Sequence, residues 1–305
     1  MRFVVRRLLG AVPSLLVVSL FIFMLQHLAP GDPTILVTGP VVSDEVYERT
    51  RKQLGLDEPL PVQYWTFLSN AVTGNLGTSL LSKRPTLDLI VERLPRTLAV
   101  SLGAMALSYA IGVTAGIIAA IRRGTVWDVL VMGGATLGMA IPGFWLGLML
   151  IMFFAVRLGW FPASGASSPK HFVLPILALG IGEAASIARV IRSSMLESMS
   201  GDFIRTARAK GLREYVVIVR HALRNALLPV TSILGLQIGF LLTGAVIVET
   251  VFGFPGLGRL LIESILNKDF PVVQGVLLVI GLMIVIGNFI ADVIYRVVDP
   301  RITLS

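Results

Sequence analysis

The sequence predicts an all-α membrane protein of six transmembrane helices, with a small polar subdomain after the first helix and a basic loop between the fourth and fifth. Three observations predict it. Apolar residues fill 55% of the 305 positions and charged residues only 14%, against about 25% charged in soluble domains. Uncharged runs recur at the length of about 20 residues that a helix needs to cross a bilayer. Basic residues gather in alternate connections, the pattern that fixes orientation in a membrane.

The first run covers 8–28. It exceeds the apolar core of a signal peptide, about 7–15 residues, and no small-residue cleavage site follows, so a retained helix is expected. Ala29-Pro30-Gly31-Asp32-Pro33 then reads as a turn.

Segment 30–95 changes character. Asp44, Glu45, Glu48, Arg49, Arg51 and Lys52 sit in a stretch of helical pattern, and Gly55-Leu56-Asp57-Glu58-Pro59 breaks it. A second, amphipathic helix is expected around 63–68, with Tyr64 and Trp65 suited to the membrane interface.

Runs at 97–121, 129–156, 226–248 and 270–291 are each read as one crossing. The run 172–188 is shorter and carries Glu183. The expected division is a tail and first helix at 1–29, a periplasmic segment at 30–95, a transmembrane domain at 96–295 and a C-terminal tail at 296–305.

Six crossings place both termini on one side. With that side cytoplasmic, fifteen of the 26 basic residues lie inside, eight of them between Arg189 and Arg224. Seven of the rest fall at 30–96, between the first two crossings, and long segments translocate with little regard to charge. The net charge of +8 is then cytoplasmic enrichment rather than a nucleic-acid surface.

Several chemistries are not encoded. Cysteine is absent, which excludes disulfides, thiol catalysis and Cys-ligated metal. His27, His171 and His221 have no Asp/Glu spacing of a catalytic metal site, and His221 reads as a structural loop residue. There is no phosphate loop, no Gly-x-Ser-x-Gly and no His-Glu-x-x-His. The chain is expected to be no enzyme and to bind no cofactor or metal. A secondary transporter is the rival among transporters, and it would show an internal repeat and more intramembrane charges.

Residues 200–225 are the most informative stretch. Asp202 is suited to cap a helix N-terminus and Gly211 to follow its C-terminus. Between them lie about two turns, with Lys210 in the last one favoured by the helix dipole. So short a helix is marginal without tertiary support, and the small Ala207 and Ala209 allow a close partner surface.

Arg205-Thr206-Ala207-Arg208-Ala209-Lys210-Gly211 followed by His221-Ala222-Leu223-Arg224-Asn225 resembles the cytoplasmic Glu-Ala-Ala loop of ABC importer permeases. It is similar in particular to the dipeptide, oligopeptide, nickel and glutathione group, because Arg205 and Thr206 stand where the general pattern has Glu and Ala. Leu-Ala-Pro-Gly-Asp-Pro at 28–33, Gln-Leu-Gly-Leu-Asp-Glu-Pro-Leu at 53–60 and Gly-Asn-Leu-Gly-Thr-Ser at 74–79 resemble further landmarks of that group. So do the run from Glu249 to Arg259 and Val298-Asp299-Pro300-Arg301.

The resemblance implies the type I importer permease fold and a coupling helix that docks on an ATPase subunit. Asp202, Phe203, Arg205, Thr206, Ala207, Arg208, Ala209, Lys210 and Gly211 would form it. Implied partners are a homologous second permease, two ABC ATPase subunits holding ATP and Mg, and a periplasmic or lipid-anchored substrate-binding protein. Peptide substrates, with glutathione close behind and a nickel chelate as the alternative, follow from the same group, as does the bacterial inner membrane.

Other residues have two readings each. Glu183 either lines the pathway or is a helix-packing partner for Arg189 or a neighbouring hydroxyl, and charges at membrane depth face protein or water in both cases. Gln237 and Gly239 either line the pathway or serve packing, with Gly235 admitting a close helix. Glu249, Phe252 and Phe254 belong either to a segment that re-enters the membrane or forms an outer gate, or to a surface turn followed by an interfacial helix at 260–266. Asn288 and Asp292, four apart, suit inter-helix hydrogen bonding.

Overall fold

The computed structural model describes residues 2–28, 33–38, 43–53 and 55–298. The turn expected at Ala29-Pro30-Gly31-Asp32 and the motif Asp299-Pro300-Arg301 lie outside the described residues. Among the described residues the chain is helical, with one isolated antiparallel bridge between Thr78 and Pro85. Among the described residues five helices are long and apolar enough to span a membrane, or six if a bent pair counts as one span.

In order, the helices begin with α1 (Arg2–Leu28), α2 (Pro33–Thr38), α3 (Asp44–Gln53), α4 (Leu60–Val72) and α5 (Thr86–Ile121). Next come α6 (Val126–Ala140), α7 (Gly143–Leu150), α8 (Lys170–Ser200), α9 (Asp202–Ala209), α10 (Glu214–Val216) and α11 (Leu223–Ala226). The chain continues through α12 (Leu228–Val251), α13 (Leu257–Leu266) and α14 (Phe270–Val298). It divides into two compact units, Met1–Pro95 with Pro255–Val285 and Arg96–Phe254 with Ile286–Ser305.

In the first unit α4 lies on α1. Tyr64 Oη and Ser19 Oγ are 2.9 Å apart, and the Phe23 ring meets Tyr64 edge-on at 5.5 Å. Tyr64 is therefore an anchor, and its neighbour Trp65 stays exposed. Ile90, Leu257, Leu260, Leu261, Val272 and Val276 form the apolar core of the unit. Asp269, just before α14, accepts from Ser79 Oγ at 2.6 Å and from Leu80 N at 3.0 Å. That pins the loop carrying the isolated bridge.

In the second unit the run 129–156 does not cross as one straight helix. α6 and α7 meet at 101°. Ile141 between them is extended (φ −80°, ψ 121°), the conformation that a following proline favours, and Pro142 has no N–H with which to continue the ladder. From α7 the chain runs on as π-helix through Ile151–Arg157.

The run 172–188, the shortest in the sequence, lies within α8, a 31-residue helix whose membrane-length window is 56% buried, more than any other. α8 packs against α6, α7 and α12 and so forms the centre of this unit. Small residues allow it. A Cβ on Gly112 would sit 2.6 Å from the Ala184 carbonyl, and one on Gly116 would sit 2.6 Å from that of Ala188. Glycines four apart on α5 thus face alanines four apart on α8, the small-residue contact that lets membrane helices approach closely.

Candidate functional site

The basic loop forms the helix expected of it, with different ends and faces. α9 runs from Asp202 to Ala209, and its N-cap is Gly201 in extended conformation rather than Asp202. Asp202 instead occupies the first turn, where its charge meets the positive end of the helix dipole. Lys210 is the C-cap, and Gly211 follows with φ 74°, a left-handed conformation that costs glycine little.

Ile204 and Ala207, three apart, share the face turned into the chain's own core, beside Ile191, Met195 and Val217. Ala207 is only 5% exposed, so it packs inward and is not placed on an outer docking surface. Asp202, Phe203, Arg205, Thr206, Arg208, Ala209, Lys210 and Gly211 are exposed. Arg208 donates from Nη2 and Nε to Glu214 at 2.6 and 3.1 Å, fastening α9 to α10. That bond holds the Glu214 carboxyl below its usual range.

After α10 comes a π-helical stretch, Val217–Ala222, whose Val217 and Ala222 are buried in the same core. Asn225 Nδ2 donates to the His221 carbonyl at 2.8 Å, so this pair serves the local backbone.

The five pathway candidates separate into two groups. Glu183 and Gln237 stand together on the wall of a cavity of about 750 Å3 between α6, α7, α8 and α12. Gln237 Nε2 donates to Glu183 Oε2 at 3.3 Å, and Tyr109 Oη on α5 lies 2.7 Å from Gln237 Oε1. Glu183 thus pairs across to α12 rather than along its own helix with Arg189.

Glu249, Phe252 and Phe254 sit in the packed interior instead. α12 continues through Glu249, which is fully buried and accepts from Thr97 Oγ1 at 2.6 Å. Phe252 and Phe254 are 2% and 0% exposed, within the core around Val100, Leu150 and Leu174. α12 is followed by a turn and then by α13. Gly235 has its close neighbour in Asn288, whose Oδ1 would be 2.5 Å from an added Cβ.

The ion pair of Asp128 and Arg192 was not read from the sequence. Asp128 of α6 accepts from Arg192 Nε at 2.6 Å and Nη2 at 2.8 Å, and also from the Gly124 backbone N–H at 3.0 Å. The signal was an aspartate immediately before an apolar run, shortly after a glycine turn.

The description binding-protein-dependent transport system inner membrane component matches residues 112–304, and its N-terminal counterpart matches residues 1–101. The chain belongs to this family. It is the membrane-spanning permease of an ABC importer, and the family works with ATPase and substrate-binding partners.

The permease is 45% identical over 302 residues to the Glutathione transport system permease protein GsiC of Escherichia coli (strain K12), covering 99% of each chain. The GsiC of Shigella dysenteriae serotype 1 matches to the same extent. Among solved structures, an inward-facing MetNI methionine ABC transporter has a TM-score of 0.60 at 22% identity, covering 69% of the permease and 96% of that chain. An amino acid ABC transporter solved with histidines has a TM-score of 0.51 at 18% identity, covering 70% and 94%. These likenesses concern the fold.

Proposed function

We propose that the permease carries peptides, glutathione among them, inward across the bacterial inner membrane by alternating access driven by ATP hydrolysis on separate ATPase subunits. The observation that carries this is the 45% identity over 99% of both chains to glutathione permeases. The cavity containing Glu183 and Gln237 is then part of the pathway, since transporter sites lie between helices near the midplane. A nickel chelate is the alternative cargo of the same group.

In this reading α9 is the coupling helix, docked in an ATPase groove in helix-in-groove fashion. Its exposed Phe203 (44%) supplies an apolar anchor among Arg205, Thr206, Ala209 and Lys210. Ile204 and Ala207 hold it to the permease core, so that displacement of α9 reaches α8. The assembly comprises this permease, a homologous second one, two ATPase subunits binding ATP and Mg, and a periplasmic or lipid-anchored binding protein. The chain itself holds no cofactor and hydrolyses no ATP.

Both termini are cytoplasmic and 30–95 is periplasmic, followed by the transmembrane domain at 96–295. With no native cysteine, cysteines placed at Ser43 and Ser82 should react with an impermeant reagent from outside, and those at Thr125 and Ser305 should not. Labelling of Thr125→Cys from outside would overturn the topology. The function is tested by reconstituting the complete importer and measuring uptake of labelled glutathione, tripeptides and a nickel chelate with and without ATP. ATP-dependent peptide uptake supports the reading. Uptake of the chelate alone, or uptake independent of ATP, overturns it.

A further inference from the structure

We propose that the Glu183 carboxylate is the permease's receptor for a free ammonium group on the substrate, so that a cationic amino terminus is what the pathway itself selects. The proposal rests on the reading of the cavity as part of the pathway and adds the chemistry by which it discriminates.

The cavity wall is largely apolar, with Phe144, Leu179, Phe240 and Ile247 among its residues. Glu183 is the one ionisable side chain lining it, among the described residues, and Ser186 and Gln237 are its polar neighbours. Among the described residues no basic side chain shares this wall. An anion placed alone in an apolar cavity favours a cationic group that brings its own donors, since a desolvated charge without a partner is costly. The cavity volume of about 750 Å3 falls in the range of ~300–1,000 Å3 typical of small-ligand sites.

The hydrogen bonds leave the carboxylate available and aimed. An ionised carboxylate only accepts, so Gln237 must turn its NH2 toward Glu183 and its carbonyl toward Tyr109, whose hydroxyl then has to donate. The chain of contacts Tyr109–Gln237–Glu183, at 2.7 and 3.3 Å, therefore has one polarity. It engages Glu183 Oε2 alone and leaves Oε1 to accept from a visitor. Gln237 is itself 5% exposed, so it is held by protein and acts as a positioning residue. An ammonium fits this arrangement better than a bare metal ion. Among the described residues no group of three or more His, Asp or Glu gathers to complete a coordination sphere.

The test uses the assembled importer in nanodiscs without its binding protein, so that the permease's own preference is read. A single cysteine replaces Phe240 on the cavity wall and carries an environment-sensitive fluorophore. The probes are trialanine and N-acetyl-trialanine. The free-amine peptide is expected to bind about tenfold or more tightly than the acetylated one, the scale of a charge-assisted hydrogen bond. Glu183→Gln should remove that preference while the ATPases still co-purify, and Glu183→Asp should keep part of it. Tyr109→Phe should weaken it without abolishing it.

Equal binding of the two peptides by the parent, or an undiminished preference in Glu183→Gln, overturns the proposal. Uptake of trialanine by the complete importer is measured alongside. Peptide uptake with equal binding sinks the ammonium receptor and spares the proposed function, whereas absence of peptide uptake sinks both.

Discussion

Asp128 and Arg192 lie 64 positions apart in sequence and meet through two hydrogen bonds, at 2.6 and 2.8 Å, across the contact of α6 with α8. The same carboxylate accepts the Gly124 N–H and so also shapes the turn between α5 and α6. Side-chain exposures of 9% and 26% mean that water cannot fully replace either partner. Removing one partner strands the other charge. Asp128→Ala and Arg192→Ala should each lower the thermal unfolding midpoint, and the double variant should lose less than the two singly added. Strict additivity in that cycle would show that the pair contributes no interaction of its own.

The α5–α8 contact predicts a sharp contrast among glycines. Gly116→Val forces atoms against the Ala188 carbonyl and the Ile191 side chain. The overpacking should cost about 1–3 kcal/mol and reduce the yield of folded protein. Gly133→Ala and Gly134→Ala, where an added Cβ meets nothing within 4 Å, should leave stability near that of the parent. Thermal unfolding in detergent distinguishes the two groups, and equal effects would contradict the close approach.

The two faces of α9 should behave differently. Phe203→Ala removes an exposed ring and should leave abundance unchanged while lowering ATPase co-purification and transport together. Loss at a central aromatic anchor is commonly about 2 kcal/mol or more, some thirtyfold in affinity. Ala207→Trp enters this chain's own core and should instead lower abundance. If Phe203→Ala binds the ATPases like the parent, the docking face has been misplaced.

The Arg208–Glu214 pair supplies a pH dependence of known sign. Glu214 has its folded pKa depressed, first by the hydrogen bond from Arg208. Its stabilisation is therefore present above the ordinary glutamate value and is lost as pH falls through the lower, folded value. Both side chains are about half exposed, which limits the pair to about 0.2–1 kcal/mol. A double-mutant cycle of Arg208→Ala and Glu214→Ala should show coupling at pH 7 that vanishes in strongly acidic buffer. Coupling that persisted there would mean that charge is not its source.

The sequence by itself determined that this is a helical membrane protein, which stretches carry its long apolar helices, and where its short basic-loop helix lies. Hydrophobic run length and the Gly211 stop are local properties, set by lipid thickness and by backbone stereochemistry at one residue. Pro142 stands within the run 129–156, but an apolar run counts composition and not direction, so the bend of 101° stayed hidden. Tertiary structure decided which polar residues work as partners. Glu183 could pair along its helix or across to another, and only the arrangement of α5, α8 and α12 brings it to Gln237 and Tyr109. Glu249 stands only twelve positions from Gln237 on the same helix, yet α12 carries it past the cavity into a core where Thr97 Oγ1 donates to it. Whether a buried carboxylate faces protein or open space depends on helices distant in sequence, and the packing of those helices is what separated Glu183 from Glu249.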